Sequence, residues 1–258
     1  MGHTELGYLP TRGRWRAVAA LLAAPHLDVP AVAGATTKAA ESRLRELGGD
    51  PSLAYCFWLL VRLAEAARGP DFFEGAARLG IAVRADDAAL TVIARTADRA
   101  RVELNRYPES GPFGEIASLA LRRALTETVG AEGRSLFGSS LEDLERAFRR
   151  YSSPAQFATL ARRFFGDFYG RTLRFYVERE LQNRIGDAGL PTITDANEFA
   201  DALDLHARAT SRVVERFAAD WYDKHHWEAG GAISREEAQG FVAHALTKLR
   251  MGLVVDAR

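Results

Sequence analysis

Residues 148–176 read FRRYSSPAQFATLARRFFGDFYGRTLRFY, and we expect the fold to be organised around them. The stretch contains nine of the chain's 21 Phe and Tyr residues. Gly166 and Gly170 are four residues apart, a spacing that permits a close helix crossing or a bend. Apolar side chains recur every three or four residues, which is the spacing of one buried helix face. These side chains are Phe157, Leu160, Phe164 and Phe168.

The same stretch is strongly basic in a chain of balanced charge. Between residues 146 and 174 a single acid, Asp167, accompanies seven arginines, whereas Lys+Arg and Asp+Glu both total 34 in the whole chain. Arginine beside aromatic residues is typical of protein interfaces and of grooves that bind single-stranded nucleic acid. Six arginines are therefore our candidate contact residues for a partner protein or nucleic acid: Arg149, Arg150, Arg162, Arg163, Arg171 and Arg174.

Two other interpretations of this basic stretch remain open. An amphipathic helix on an anionic membrane would carry the same mixture of residues. A core helix with its arginines outside would also explain the aromatic spacing. Residues 194–240 carry ten acids against five bases. This acidic region can neutralise the arginines within the chain or contact another subunit.

The rest of the chain carries helix-forming patterns. Ala, Leu, Arg and Glu are abundant, strict alternation of apolar and polar residues is absent, and β-branched residues are sparse. We predict an all-α multi-helix bundle of about nine to eleven helices with no significant sheet. Asp50-Pro51 marks a helix start, and the residues that follow are apolar on most sides, so this helix should be buried all round. Heptad-like spacing predicts one long helix over residues 195–227.

Two loops are candidate domain boundaries. Residues 107–112 contain two prolines and one glycine, and residues 130–140 contain three glycines. We predict an N-terminal helical region over residues 1–107 and a C-terminal helical bundle over residues 108–258. One continuous domain is the alternative.

Composition excludes several classes of protein. Cys56 is the single cysteine, so no disulfide framework or Cys-based zinc site can form within one chain. The longest apolar run, residues 53–61, is far shorter than the roughly 20 residues of a membrane-spanning helix. We therefore expect no membrane span and a cytoplasmic location. Arg12, Arg14 and Arg16 before an alanine-rich run imitate a signal peptide, but Pro25 interrupts the run, which we interpret as an ordinary helix.

The histidines offer a weak metal hypothesis. Asp223 and His226 are three residues apart, a spacing that metal sites use on helices, and His244 is the third candidate ligand. A complete metal set is usually stricter, so we predict no metal. His206 and Thr210 lie on the apolar face of their predicted helix, where we expect a hydrogen-bonded core pair.

Residues 27–47 resemble the core of a helix-turn-helix, with Arg43 and Arg45 on the second helix. DNA-binding proteins place such a helix in the major groove. The spacing of the anchor positions is short, and no wing follows. Helix pairs of this kind are also common in helical proteins that bind no DNA.

Several enzyme signatures are absent: the sequence contains no phosphate loop GxxxxGK[ST], no HExxH and no GxSxG. We predict no cofactor, and we favour a protein that is not an enzyme. The Ala- and Arg-rich composition favours a bacterial origin. Our first hypothesis is a non-enzymatic helical subunit that binds another protein in a bacterial assembly. The alternatives are a nucleic-acid-binding accessory or regulatory protein, for example of a defence or mobile-element system, and a metal-dependent hydrolase.

Overall fold

The computed structural model describes residues 12–84, 87–132, 141–228 and 232–256. These residues form helices, and the described part of the chain contains no strand or sheet. Eleven of its helices have seven residues or more, which confirms the predicted all-α bundle. The helices are α1 (Arg12–Leu22), α2 (Val29–Ala39), α3 (Glu41–Glu46), α4 (Pro51–Ala66), α5 (Phe72–Arg78), α6 (Ala89–Leu104), α7 (Pro112–Glu127), α8 (Val129–Glu132), α9 (Leu141–Tyr151), α10 (Pro154–Asn183), α11 (Ile193–Thr210), α12 (Arg212–Glu228) and α13 (Arg235–Val255).

Side-chain caps fix the starts of two helices that matter for the site. The Asp50 side chain accepts the backbone N–H of Leu53 at 3.0 Å, directly before α4. Ser234 and Glu237 form a capping box at the start of α13, in which each side chain accepts the other residue's backbone N–H. Both caps satisfy N–H groups that a helix leaves unpaired in its first turn.

The centre of the core is α4, which is buried on nearly all sides, as its sequence predicts. The Phe57 ring is fully buried and contacts aromatic rings from α10, α12 and α13 at centroid distances of 4.9–6.2 Å. Its ring partners are Phe157, Phe164, Phe165, Trp221 and Phe241. Buried apolar side chains form one cluster from Val18 to Leu253. The division at residues 107 and 108 stays a prediction.

The two glycines of α10 allow α11 to approach closely. A Cβ atom at Gly166 would lie 2.7 Å from Ser211 Oγ and 3.2 Å from Arg208 Cα. At Gly170 it would lie 2.9 Å from an Asp204 carboxylate oxygen and 3.3 Å from Asp204 Cα. The prediction of a close crossing at these glycines is confirmed.

The long helix predicted over residues 195–227 is wrong in one respect, because the chain turns at Ser211 and forms two helices, α11 and α12. The Ser211 hydroxyl donates a 2.7 Å hydrogen bond to the Arg208 carbonyl. A serine side chain that bonds its own backbone competes with helix geometry. The turn lies against Gly166 of α10, and the heptad pattern gives no sign of it.

The expected pair of His206 and Thr210 does not form. Thr210 Oγ1 donates instead to the Asp256 carboxylate at 3.1 Å. His206 Nε2 is buried and has no hydrogen-bond partner among the described residues. Both side chains lie on α11, before the turn at Ser211, and Thr210 is engaged by Asp256 at the end of α13.

Residues 27–47 lack the recognition helix that a helix-turn-helix requires. A single residue, Ala40, separates α2 from α3, and α3 has only six residues. Arg43 donates to Glu46 at 3.0 Å, and Arg45 donates to Glu41 at 2.7 Å. Helix-turn-helix motifs join their helices by a turn of three to four residues, so this pair lacks the required geometry.

In the described part of the chain, no helix combines the length and apolarity that crossing a bilayer requires.

Candidate binding surfaces

All six arginines predicted as contact residues have a carboxylate partner within the chain. Three pairs join residues on one helix or on adjacent segments, and three join α10 to other helices. The pairs are Arg149 with Glu145 at 2.6 Å, Arg150 with Glu132 at 3.3 Å, Arg162 with Glu215 at 2.9 Å, Arg163 with Glu127 at 3.2 Å, Arg171 with Asp167 at 2.6 Å and Arg174 with Asp201 at 3.7 Å. The acidic region of the sequence supplies Glu215 and Asp201. The local charge excess seen in the sequence is therefore compensated in the fold.

Asp167 lies at the centre of the most connected part of this network. Its carboxylate is buried and contacts the guanidinium groups of Arg171, Arg208 and Arg123 at 2.6, 3.1 and 3.3 Å. These three arginines come from α10, α11 and α7. The network connects α7, α10 and α11, so these arginines have a structural role that is independent of any partner.

Glu127 is the second acid of the same network. Burial by itself would raise the pKa of its carboxyl, but the hydrogen bond from Arg123 and the charges of Arg123, Arg208 and Arg163 lower it. Glu127 therefore remains ionised beside its arginines. That these six arginines form a contact surface stays a prediction. Because each has an acid partner within the chain, they do not form an uncompensated positive patch.

A second arginine cluster has a different balance of charge. Glu103 on α6 is only 1% exposed, and three guanidinium groups face its carboxylate. Arg99 lies at 3.4 Å, Arg106 at 3.2 Å and Arg235 at 3.1 Å. Among the described residues, Glu103 is the one carboxylate within ion-pair distance of any of the three. Burial would raise the pKa of Glu103, but the Arg235 hydrogen bond and the three positive charges lower it.

Aromatic rings complete this cluster, which we call the three-arginine cluster (Arg99, Arg106 and Arg235). The Arg235 guanidinium lies over the rings of Tyr55 and Trp58, 4.8 and 4.9 Å from their centroids. The Arg99 guanidinium also lies over the Tyr55 ring, 5.6 Å from its centroid. Sequence reasoning missed this cluster because Arg235 comes from the far end of the chain. The spacing of Arg99, Glu103 and Arg106 on one helix face was the available signal.

A groove of about 400 Å³ opens between α12 and α13. Phe217, Trp221 and His225 line one side and follow each other at four-residue intervals along α12. The other side is the face of α13 that carries Glu237, Gly240, Phe241 and His244. The aromatic wall is closely packed, with the Trp221 and Phe241 ring centroids 4.5 Å apart and those of Phe217 and Phe241 5.2 Å apart.

Polar groups of this groove are few and mostly engaged. His225 Nδ1 lies 2.8 Å from the Trp221 carbonyl oxygen. A carbonyl only accepts, so Nδ1 donates this bond. The Glu237 carboxylate accepts the Ser234 N–H at 2.7 Å, and this bond, together with the nearby charge of His225, lowers the pKa of Glu237. His244 packs edge-on against Phe217.

Space remains at one position of the groove. A Cβ atom built on Gly240 would meet no other atom within 4 Å. The groove is therefore open over the Gly240 backbone among the described residues.

The metal candidates do not come together in the described part of the chain. Asp223 is exposed on α12, and His244 lies in the groove beside Phe217. The His226 side chain lies outside the described residues. No group of three His, Cys, Asp or Glu residues with metal-binding geometry occurs among the described side chains.

No protein-family model, curated protein or solved structure matches this chain. We therefore infer its function from its own side chains.

Proposed function

We propose that this protein is a non-enzymatic helical subunit that binds another protein within a bacterial, cytoplasmic assembly. The groove between α12 and α13 is the observation that carries the proposal. Concave sites walled by aromatic side chains receive the anchor residues that dominate protein–protein binding energy. The occupant we propose is an aromatic or branched apolar side chain presented by a helix or loop of the partner.

The chemistry of the groove favours binding over catalysis. General acid–base catalysis requires a carboxylate or imidazole that is placed to exchange a proton with a substrate. Glu237 is engaged in the cap of α13, and His225 Nδ1 is engaged with the Trp221 carbonyl. The second ring nitrogen of His225 and the exposed ring of His244 suit hydrogen bonds to the backbone of a bound segment. Aromatic walls with a few polar groups at the edge are the usual composition of an anchor pocket.

The compensated charges of α9 and α10 support a protein partner rather than nucleic acid. Nucleic-acid affinity derives largely from cations that are available to phosphates. Here the six predicted arginines each have a carboxylate within 4 Å. A phosphate backbone would have to displace these acids one by one.

A side chain grown from Gly240 provides the test. Leucine at this position would fill the groove from within the chain. Because its Cβ meets no atom within 4 Å and leucine favours helix over glycine by about 1 kcal/mol, the variant should fold at least as well as the parent. Gly13→Leu is the matched control, since Gly13 is also exposed on a helix, α1, and its Cβ would also meet no atom within 4 Å.

The experiment is affinity capture from the native host with neighbouring gene products co-expressed, followed by reconstitution with the purified partner. We expect the parent protein and Gly13→Leu to retain the same partner in a fixed ratio, and Gly240→Leu to lose it while unfolding at an equal or higher temperature. A monodisperse monomer that retrieves no partner would contradict the proposal. Equal retention by Gly240→Leu would contradict the groove as its site.

A further inference from the structure

The three-arginine cluster has a charge excess that the fold does not neutralise. We infer that Arg99, Arg106 and Arg235 form a binding site for a phosphate-type oxyanion, with the Tyr55 hydroxyl as a further donor. The site is independent of the groove between α12 and α13.

The first support is the number of unused donors. A guanidinium has five N–H donors in a planar fork. Glu103 engages one or two donors of each arginine, at N···O distances of 3.1–3.5 Å. Charge-assisted bonds are normally about 2.7–2.9 Å long, so these contacts are loose. Three positive charges around one carboxylate leave both donors and charge for a second anion.

The second support is that two of the three guanidinium groups are held in place. Arg99 Nε donates to the Leu79 carbonyl at 3.2 Å, and a Cβ at Gly80 would lie only 2.8 Å from that nitrogen. Gly80 has a φ of +79°, which suits glycine. Arg235 is held by its two aromatic rings. Fixed guanidinium groups lose little freedom when an anion binds.

The third support is the Tyr55 hydroxyl. Tyr55 is 2% exposed, and its oxygen has no hydrogen-bond partner among the described residues. Burial raises the pKa of Tyr55, and the guanidinium groups of Arg99 and Arg235 lie 5.6 and 4.8 Å from its ring centroid, which places the ring beside the cluster. A buried hydroxyl without a partner costs free energy. The protonated hydroxyl would donate to an anion oxygen held by Arg99 and Arg235.

The test compares two arginines of similar exposure and similar local pairing. Arg106 is 70% exposed and Arg146 is 73% exposed, and each pairs with an acid three positions earlier, Glu103 or Asp143. Phosphate is titrated against chloride at equal ionic strength and pH, with unfolding temperature and calorimetric affinity as readouts. We expect phosphate to stabilise the parent and Arg146→Gln equally, and to bind Arg106→Gln at least about fivefold more weakly.

A second arm identifies the source of the anion. O-phosphoserine is titrated in the same way as inorganic phosphate. Comparable affinities would support a site for a free anion, and tighter binding of phosphoserine would support a phosphate group carried on a protein chain. Arg235→Lys keeps the charge but loses the planar fork, so it should weaken both probes and still fold. Absence of binding to either probe by the parent, or equal losses in Arg106→Gln and Arg146→Gln, would overturn the inference.

Discussion

Arg235 donates a 3.1 Å hydrogen bond to Glu103, a residue 132 positions earlier in the chain. Two residues before Arg235, the Ile233 N–H donates to the Glu65 carboxylate at 3.1 Å. Two buried acids from α6 and α4 therefore hold the start of α13, and α13 forms one side of the groove. Their pKa values shift in opposite directions, so acid should affect the two contacts differently.

Glu103 should stabilise the fold at neutral pH and lose this effect in acid. Burial would raise its pKa, but Arg235 and the other two arginines lower it. A lowered pKa in the folded state contributes stability above the unfolded value of about 4.3, and this stability disappears as pH falls through the folded value. Glu103→Gln should therefore destabilise the protein more at pH 7 than at pH 3. Urea unfolding at both pH values measures the difference, and equal losses at both would contradict the assignment.

Glu65 should show the opposite trend. Burial is the main cause of its raised pKa, against the opposing effects of the Ile233 N–H and Arg62. A raised pKa in the folded state contributes stability below the unfolded value, and this stability is lost as pH rises through the folded value. Glu65→Gln keeps an oxygen acceptor for Ile233. Relative to the parent, the free energy of unfolding of Glu65→Gln should rise between about pH 4 and pH 7. A fall over that range would contradict a raised pKa of Glu65.

Alanine should have opposite effects at Gly166, in the crossing of α10 and α11, and at Gly240, on α13. Gly166→Ala places a methyl group 2.7 Å from Ser211 Oγ and 3.2 Å from the Arg208 backbone. Overpacking of this kind costs about 1–3 kcal/mol. Gly240→Ala meets open space and should stabilise the protein by up to about 1 kcal/mol. Chemical denaturation of the two variants side by side tests the pair. A stable Gly166→Ala variant would mean that the helices can separate at little cost.

Salt dependence separates the protein-binding and nucleic-acid hypotheses. If a single-stranded oligonucleotide contacted all six predicted arginines, a plot of log affinity against log salt concentration would have a slope of about −4. Because these arginines are paired within the chain, we expect weak binding and a much shallower slope. Fluorescence anisotropy across a salt series measures it. A steep slope that flattens in Arg149→Gln and Arg150→Gln would favour nucleic acid instead.

The parts of the fold that depend on neighbouring residues are predictable from the sequence. Asp50 caps α4 through an N–H three residues away, and Ser234 caps α13 in the same way. The aromatic spacing of α10 correctly predicts a buried helix, and its glycines correctly predict a close crossing.

The parts that depend on distant residues are not predictable from one sequence. The partner of Arg162 is Glu215, 53 residues later, so pairing could be proposed but not assigned. The turn at Ser211 interrupts a heptad pattern that continues on both sides, and it lies against Gly166 of a distant helix. The three-arginine cluster and the groove each combine residues from separate helices, and their geometry follows only from the packing of α13.

The central claim is that the groove between α12 and α13 receives an anchor side chain of a partner protein. The most direct measurement is the dissociation constant of the purified partner for the parent protein, Gly240→Leu and Gly13→Leu. We predict that Gly240→Leu weakens binding at least about tenfold, or about 1.4 kcal/mol, while Gly13→Leu leaves it unchanged. Equal affinity of all three proteins would contradict the claim.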